Sequence, residues 1–203
     1  MFSIQSPLFE APLSQLRPTQ ITVGFAEVAE KRKDWAKLKR AARKAKMREE
    51  LFPVVKGPHS GLYILDHHHA ALALLQEGAD SVQVGLVKDL SGLSDVAFWI
   101  FLDHFSWMHA YDARGRKRGF EAIPKRLQDL RNDPYRSFAG DVRDAGGFAK
   151  PVEPFQEFLW ANFFRAAISA KSLKSDHDKA IKKALELAKS TDARHLPGWS
   201  GEK

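Results

Sequence analysis

Between Leu62 and Gly78 the sequence changes character in a single step. Leu62-Tyr63-Ile64-Leu65 is apolar and strand-forming, Asp66-His67-His68-His69 follows, and Ala70-Ala71-Leu72-Ala73-Leu74-Leu75-Gln76-Glu77-Gly78 consists of helix formers closing on a glycine. Asp66 suits the helix N-cap and Gly78 the C-terminal cap. A helix start leaves four backbone N–H groups unpaired and carries the positive end of the helix dipole. Placed directly after a strand, it is a ready site for an anion, commonly phosphate.

The flanking segments extend this into an α/β unit. Trp35, Leu38, Ala42 and Ala45 recur at three- and four-residue spacing, which predicts one helix from Phe25 to Leu51 that Pro53 ends. Pro53–Lys56 and Gly61–Leu65 around a Gly57-Pro58 turn predict a hairpin, and Val82–Val87 alternates as a strand. The first ninety residues read β-α-β-β-α-β. From Leu90 the texture becomes helical. Ser94 caps an apolar run through Phe105 and Met108, expected as a central buried helix. Asn132 or Asp133 with Pro134 opens a helix that stops at Gly146-Gly147. Pro154 opens another, with Phe155, Phe158, Leu159, Phe163 and Ala166 on one side, and Ser175 or Asp176 opens the last. The tail after His195 is expected to be loose. The fold class is therefore α+β, with a small mixed α/β domain over residues 1–90 and a helical region over 91–203 packed on it.

Composition removes several alternatives. With 203 residues, 44% of them hydrophobic, 14 Phe and 5 Trp, the chain can bury a full core and is not a disordered segment. The absence of cysteine excludes disulfides, thiolate zinc sites and cysteine nucleophiles. Residues 1–20 lack a signal-peptide layout and no apolar run reaches about 18 residues, so a cytoplasmic protein without membrane contact is expected. Charge is localised. From Lys31 to Arg48 ten Lys and Arg face Asp34 alone, a local +9 that exceeds the +7 of the whole chain. Any attraction for nucleic acid is thereby concentrated in this segment; the alternative is a solvated helix face.

The chemistry is expected at the junction. His67, His68 and His69 can donate hydrogen bonds, bind metal or move protons. A carboxylate at Asp66 conflicts with a phosphate at the same helix start unless Mg²⁺ bridges the two. Asp66 acting only as a cap, and a histidine zinc site, remain the alternatives.

Tyr63-Ile64-Leu65-Asp66-His67-His68-His69-Ala70-Ala71-Leu72-Ala73-Leu74 resembles the signature of the ParB/sulfiredoxin superfamily. It is similar to the Asp-Gly-His-His-Arg form of that superfamily's free-serine kinases. Over most of its length the chain resembles the ParB-like nuclease group. This likeness rests on Leu16–Gly24, on Asp133-Pro134-Tyr135-Arg136-Ser137 with Arg143 and Gly146-Gly147, and on Glu157–Ala161 with Arg165. The resemblance implies metal and phosphate handling by Asp66, His68 and His69, with ATP or CTP as the nucleotide. His67 stands where the kinase-type motif has glycine, and Ala70 where it has arginine. In this fold Thr19 and Gln20 border the pocket and Glu27 is a candidate base.

Arg136 and Arg143, two turns apart on one helix face, suit phosphate bidentately or form salt bridges to Asp141, Asp144 or Glu157. Two function classes follow. One is a Mg²⁺-dependent nuclease or ATP-dependent, kinase-like phosphotransferase, with Asp66, His68, His69 and Glu27 as its catalytic residues. The other is a non-catalytic nucleotide- or DNA-binding module.

Overall fold

The computed structural model describes residues 2–4, 8–150 and 155–201, without the side chain of Lys44. The chain divides into two compact units, Met1–Asn132 and Asp133–Lys203. The boundary expected near residue 90 lies inside the first unit. The segment after Leu90 shares a core with the strands, because Phe98, Leu102, Met108 and Ile123 cluster with Ile21, Val55, Tyr63 and Leu65.

In the first unit β1 (Leu8–Pro12), β2 (Leu16–Arg17) and β3 (Thr22–Val23) precede α1 (Phe25–Lys37) and α2 (Arg40–Glu49). Then come β4 (Leu51–Lys56), β5 (Leu62–Ile64), α3 (His68–Gln76), β6 (Ser81–Asp89), α4 (Asp95–His104) and β7 (Arg131–Asn132). The main sheet has the order β1-β6-β4-β5-β2, and β3 pairs with β7 separately. β4 and β5 form the expected antiparallel hairpin, and β6 returns parallel to β4 after α3. β2 runs parallel to β5, with Arg17 opposite Tyr63. Parallel strands end on the same side, so the segment leaving β2 emerges beside the segment leaving β5. This places Thr19–Gly24 next to Asp66–His69.

Three expectations change in this unit. Before α1 the chain makes three short strands rather than one. The helix expected over Phe25–Leu51 breaks at Leu38, whose ψ of 134° is extended. Arg43 explains the break: its Nε donates to Trp35 O (3.2 Å) and its Nη2 to Ala36 O (3.1 Å), satisfying carbonyls at the end of α1. The apolar stripe is correspondingly interrupted, with Trp35 buried and Ala42 and Ala45 exposed. α4 is capped by Ser94 as expected, but only Phe98 and Leu102 are buried; Val96 and Ile100 stay exposed. Apolar residues on every side do not bury a helix that meets its core along one face.

The second unit contains α5 (Pro134–Asp144), α6 (Glu157–Ala167), α7 (Ala170–Ser175) and α8 (His177–Lys189). Asp133 caps α5 by accepting from Tyr135 N (3.0 Å), and Asp176 caps α8 by accepting from Lys179 N (3.0 Å). Pro154, expected to open α6, lies outside the described residues. Phe138, Trp160, Phe164 and Ala184 form the core. The tail is not loose: Leu196 is buried, Trp160 Nε1 donates to Pro197 O (2.8 Å), and Ala149 N donates to Gly198 O (2.8 Å). Among the described residues no helix is long and apolar enough to cross a membrane.

Candidate functional site

The three histidines at the junction divide their work. His67 is the first to leave the strand and takes left-handed backbone angles, φ 63° and ψ 23°. Glycine adopts this conformation freely and histidine at some cost. His67, not Asp66, occupies the N-cap of α3, and no side chain caps the helix. Asp66 is exposed, and its Oδ1 accepts the N–H of His67 (2.7 Å). The carboxylate therefore takes one donor at the helix start, the N–H of the N-cap, and caps none of the first-turn N–H groups.

His68 and His69 point inward. His68 Nε2 accepts the backbone N–H of Thr19 (3.1 Å), and His69 Nε2 accepts that of Gly24 (2.9 Å). Thr19 Oγ1 donates to Ile64 O (2.8 Å), tying the same segment to β5. Both imidazoles accept through Nε2, so both are neutral rings protonated at Nδ1. Burial holds His68 down to a pKa of about 3, with the neighbouring His67 and His109 adding to the effect. Glu27 Oε2 lies 3.4 Å from His69 Nε2. That nitrogen already takes the Gly24 N–H, so the contact is one of proximity and not a salt bridge.

His67 has the opposite electrostatics. Its Nδ1 lies 3.6 Å from Glu50 Oε1, an ion-pair distance rather than a hydrogen bond. The Glu50 carboxylate raises the His67 pKa, with Asp66 adding to it against partial burial. His67 in turn lowers that of Glu50. The junction thus presents at its rim one imidazole whose pKa is raised by Glu50, over two within that accept backbone N–H groups.

The remaining candidates are placed as follows. Thr19 and Gln20 are buried, and Gln20 Nε2 donates to Thr22 O (2.8 Å), so both side chains order the loop after β2. In the second unit Arg136 and Arg143 do share one face, and both guanidiniums grip the carboxylate of Glu157, with Arg143 also on Asp144. Their salt-bridge reading is the one realised. Among the described residues no group of three His, Asp or Glu side chains converges for a metal. Sequence reading missed His109. Its N–H donates to Thr19 O (2.8 Å), its carbonyl accepts from Ile21 N (3.3 Å), and its ring stacks on Tyr111 at 4.6 Å. Nothing in Trp107-Met108-His109-Ala110-Tyr111 marks it, since the residue acts through its backbone.

The family model "Putative ParB-like nuclease" matches residues 9–166. The chain belongs to this ParB-like family. Among solved structures, protein Atu1540 from Agrobacterium tumefaciens is 43% identical, with 98% of this chain and 100% of that chain covered and a TM-score of 0.90. The C-terminally truncated chromosome-partitioning protein ParB from Caulobacter crescentus, complexed with CTP-gamma-S, is 11% identical over 92% of this chain and 94% of that chain. Its TM-score is 0.32, and so low a score leaves the ligand a property of that protein alone. No curated protein matches.

The His67–Glu50 pair generates a pH dependence. Its raised histidine contributes stability that is complete below the ordinary imidazole value of 6.5 and is lost as pH rises through the higher folded value. Its lowered carboxylate contributes stability that is complete above the ordinary 4.5 and is lost as pH falls through the lower folded value. Titration of the His67 ring by NMR is expected to give a midpoint above 6.5 that drops in Glu50→Gln. An unshifted midpoint in both proteins contradicts the pairing.

Proposed function

We propose that this protein is a ParB-like nucleotide-binding module that receives phosphate groups at the start of α3. One observation carries this reading: the helix begins without a side-chain cap. His67, whose proton affinity Glu50 raises, stands at the same point. His68 and His69 hold that start in place and leave ligand contact to backbone N–H groups and His67. Mg²⁺ fits as a bridging ion, since it uses one or two carboxylates together with phosphate and water, and exposed Asp66 supplies one carboxylate. The ion would neutralise phosphate charge there. Nuclease or kinase-like turnover is less well supported, because the imidazole nitrogen nearest Glu27 already accepts a backbone N–H. ATP and CTP are the first nucleotides to test.

With Mg²⁺, a nucleoside triphosphate at about 100 times its Kd is expected to add roughly 2.7 kcal/mol to stability. Asp66→Asn is expected to lose the Mg²⁺-dependent part of that gain. Its unliganded stability should stay within about 0.5 kcal/mol, because Asp66 is an exposed residue that does not cap the helix. Thermal melts of both proteins measure this, and the absence of any shift up to millimolar nucleotide contradicts the reading.

A second reading, compatible with the first, is contact with nucleic acid through α1 and α2. Lys31, Arg32 and Lys37 pair with Glu27, Glu77 and Asp34, and Arg43 closes α1. Lys33, Lys39, Arg40, Lys46 and Arg48 are exposed and have no ion pair among the described residues, which leaves them available to phosphates. If all five engage, log K against log salt should slope by about −4. The triple variant Lys39→Glu, Arg40→Glu, Lys46→Glu should flatten it for every sequence alike. Unchanged binding in that variant assigns these residues to solvent.

A further inference from the structure

A cleft of about 370 Å³ opens at the start of β5, the opposite end of that strand from Asp66. Arg17, His59, Ser60, Gly61, Lys125 and Arg126 are among its walls, and no acidic residue lines it. Arg17 is half-buried. Its Nη1 donates to the Tyr63 hydroxyl (3.1 Å), and its guanidinium carbon lies 5.5 Å from the centre of that ring. Among the described residues no carboxylate pairs with it. Gly61 makes room for this arrangement, since a Cβ there would meet the Tyr63 ring at 2.9 Å and the Arg17 guanidinium carbon at 3.4 Å. Arg126 is already held by Asp129 through two contacts, at 2.8 and 3.0 Å, whereas Lys125 is exposed and has no ion pair among the described residues. The turn that closes the cleft is strained at two successive residues, His59 (φ 53°) and Ser60 (φ 58°).

A guanidinium partly withdrawn from water and supported only by a neutral hydroxyl and an aromatic face lacks its natural counter-charge. A cleft with cations and no acid in its lining attracts an anion, and the guanidinium fork matches two oxygens of a phosphate. We propose that this cleft is a second anion site, separate from the start of α3, which takes a phosphate monoester through Arg17 and Lys125. A water molecule's share of liquid is about 30 Å³, so the cleft has room for the group that carries the phosphate as well. That group is a small molecule or the 5′ end of a nucleic acid.

Titration of the full chain with AMP, and separately with a 5′-phosphorylated oligonucleotide and its unphosphorylated counterpart, tests the site by amide NMR. Saturable shifts are expected at Arg17, Ser60, Gly61 and Lys125, in the AMP arm, or in the oligonucleotide arm only when it is phosphorylated. Arg17→Gln and Lys125→Ala should each weaken that binding about tenfold. Lys125 is exposed, so its variant keeps the fold should loss of Arg17 disturb Tyr63. Shifts confined to His68–Ala70 would belong to the start of α3 and overturn the second site. Absence of saturation at 10 mM of every probe, on the order of the weakest useful affinities, or unchanged affinity in Lys125→Ala, would overturn it as well.

Discussion

Two consecutive imidazoles that accept backbone N–H groups hold this first unit in its working shape. Adjacent residues in a helix's first turn diverge, so His68 and His69 reach two separate points of one segment, Thr19 and Gly24. A charged imidazole has no lone pair to accept with, and a charged ring at His68 would be costly in its buried position. Burial keeps His68 neutral, and neutrality keeps the contact. Thr19 Oγ1 on Ile64 O and the backbone bonds of His109 to Thr19 and Ile21 close the same knot from the strand and the loop beyond it. The start of α3 is therefore rigid without any side chain filling its N-cap.

That clamp separates the histidines that hold the backbone from the one that does not. The inner histidines are spent on the backbone, and the outer one, His67, has its pKa raised by Glu50 beside it. Asp66 faces solvent and binds only its neighbour's N–H in the described structure. On the proposed reading, the backbone donors of the first turn receive the phosphate and Asp66 holds the divalent ion beside it.

Features written in adjacent residues were legible in the sequence. The strand-to-helix step at Asp66–His69, the Gly57-Pro58 hairpin, and the caps at Ser94, Asp133 and Asp176 all depend on local propensity and hydrogen bonding, and the structure has them. The seven-residue spacing of Arg136 and Arg143 correctly put them on one face, where Glu157 takes both. What was not legible depended on contacts distant in sequence. Arg43 ends α1 by reaching back to Trp35 and Ala36, and Trp160 anchors the tail at Pro197. Three identical histidines in a row give no sign of which will be buried. Only the parallel pairing of β2 with β5 brings Thr19 and Gly24 to two of them.

The division of roles among these histidines is tested most directly by nitrogen NMR of the imidazole rings between pH 5 and 8. His68 and His69 are expected to show unprotonated Nε2 and protonated Nδ1, His68 without titrating across that range, while His67 titrates with a raised midpoint. A His68 ring that takes up a proton near its ordinary value of 6.5, or that carries its proton on Nε2, would contradict the clamp on which the rest of the site depends.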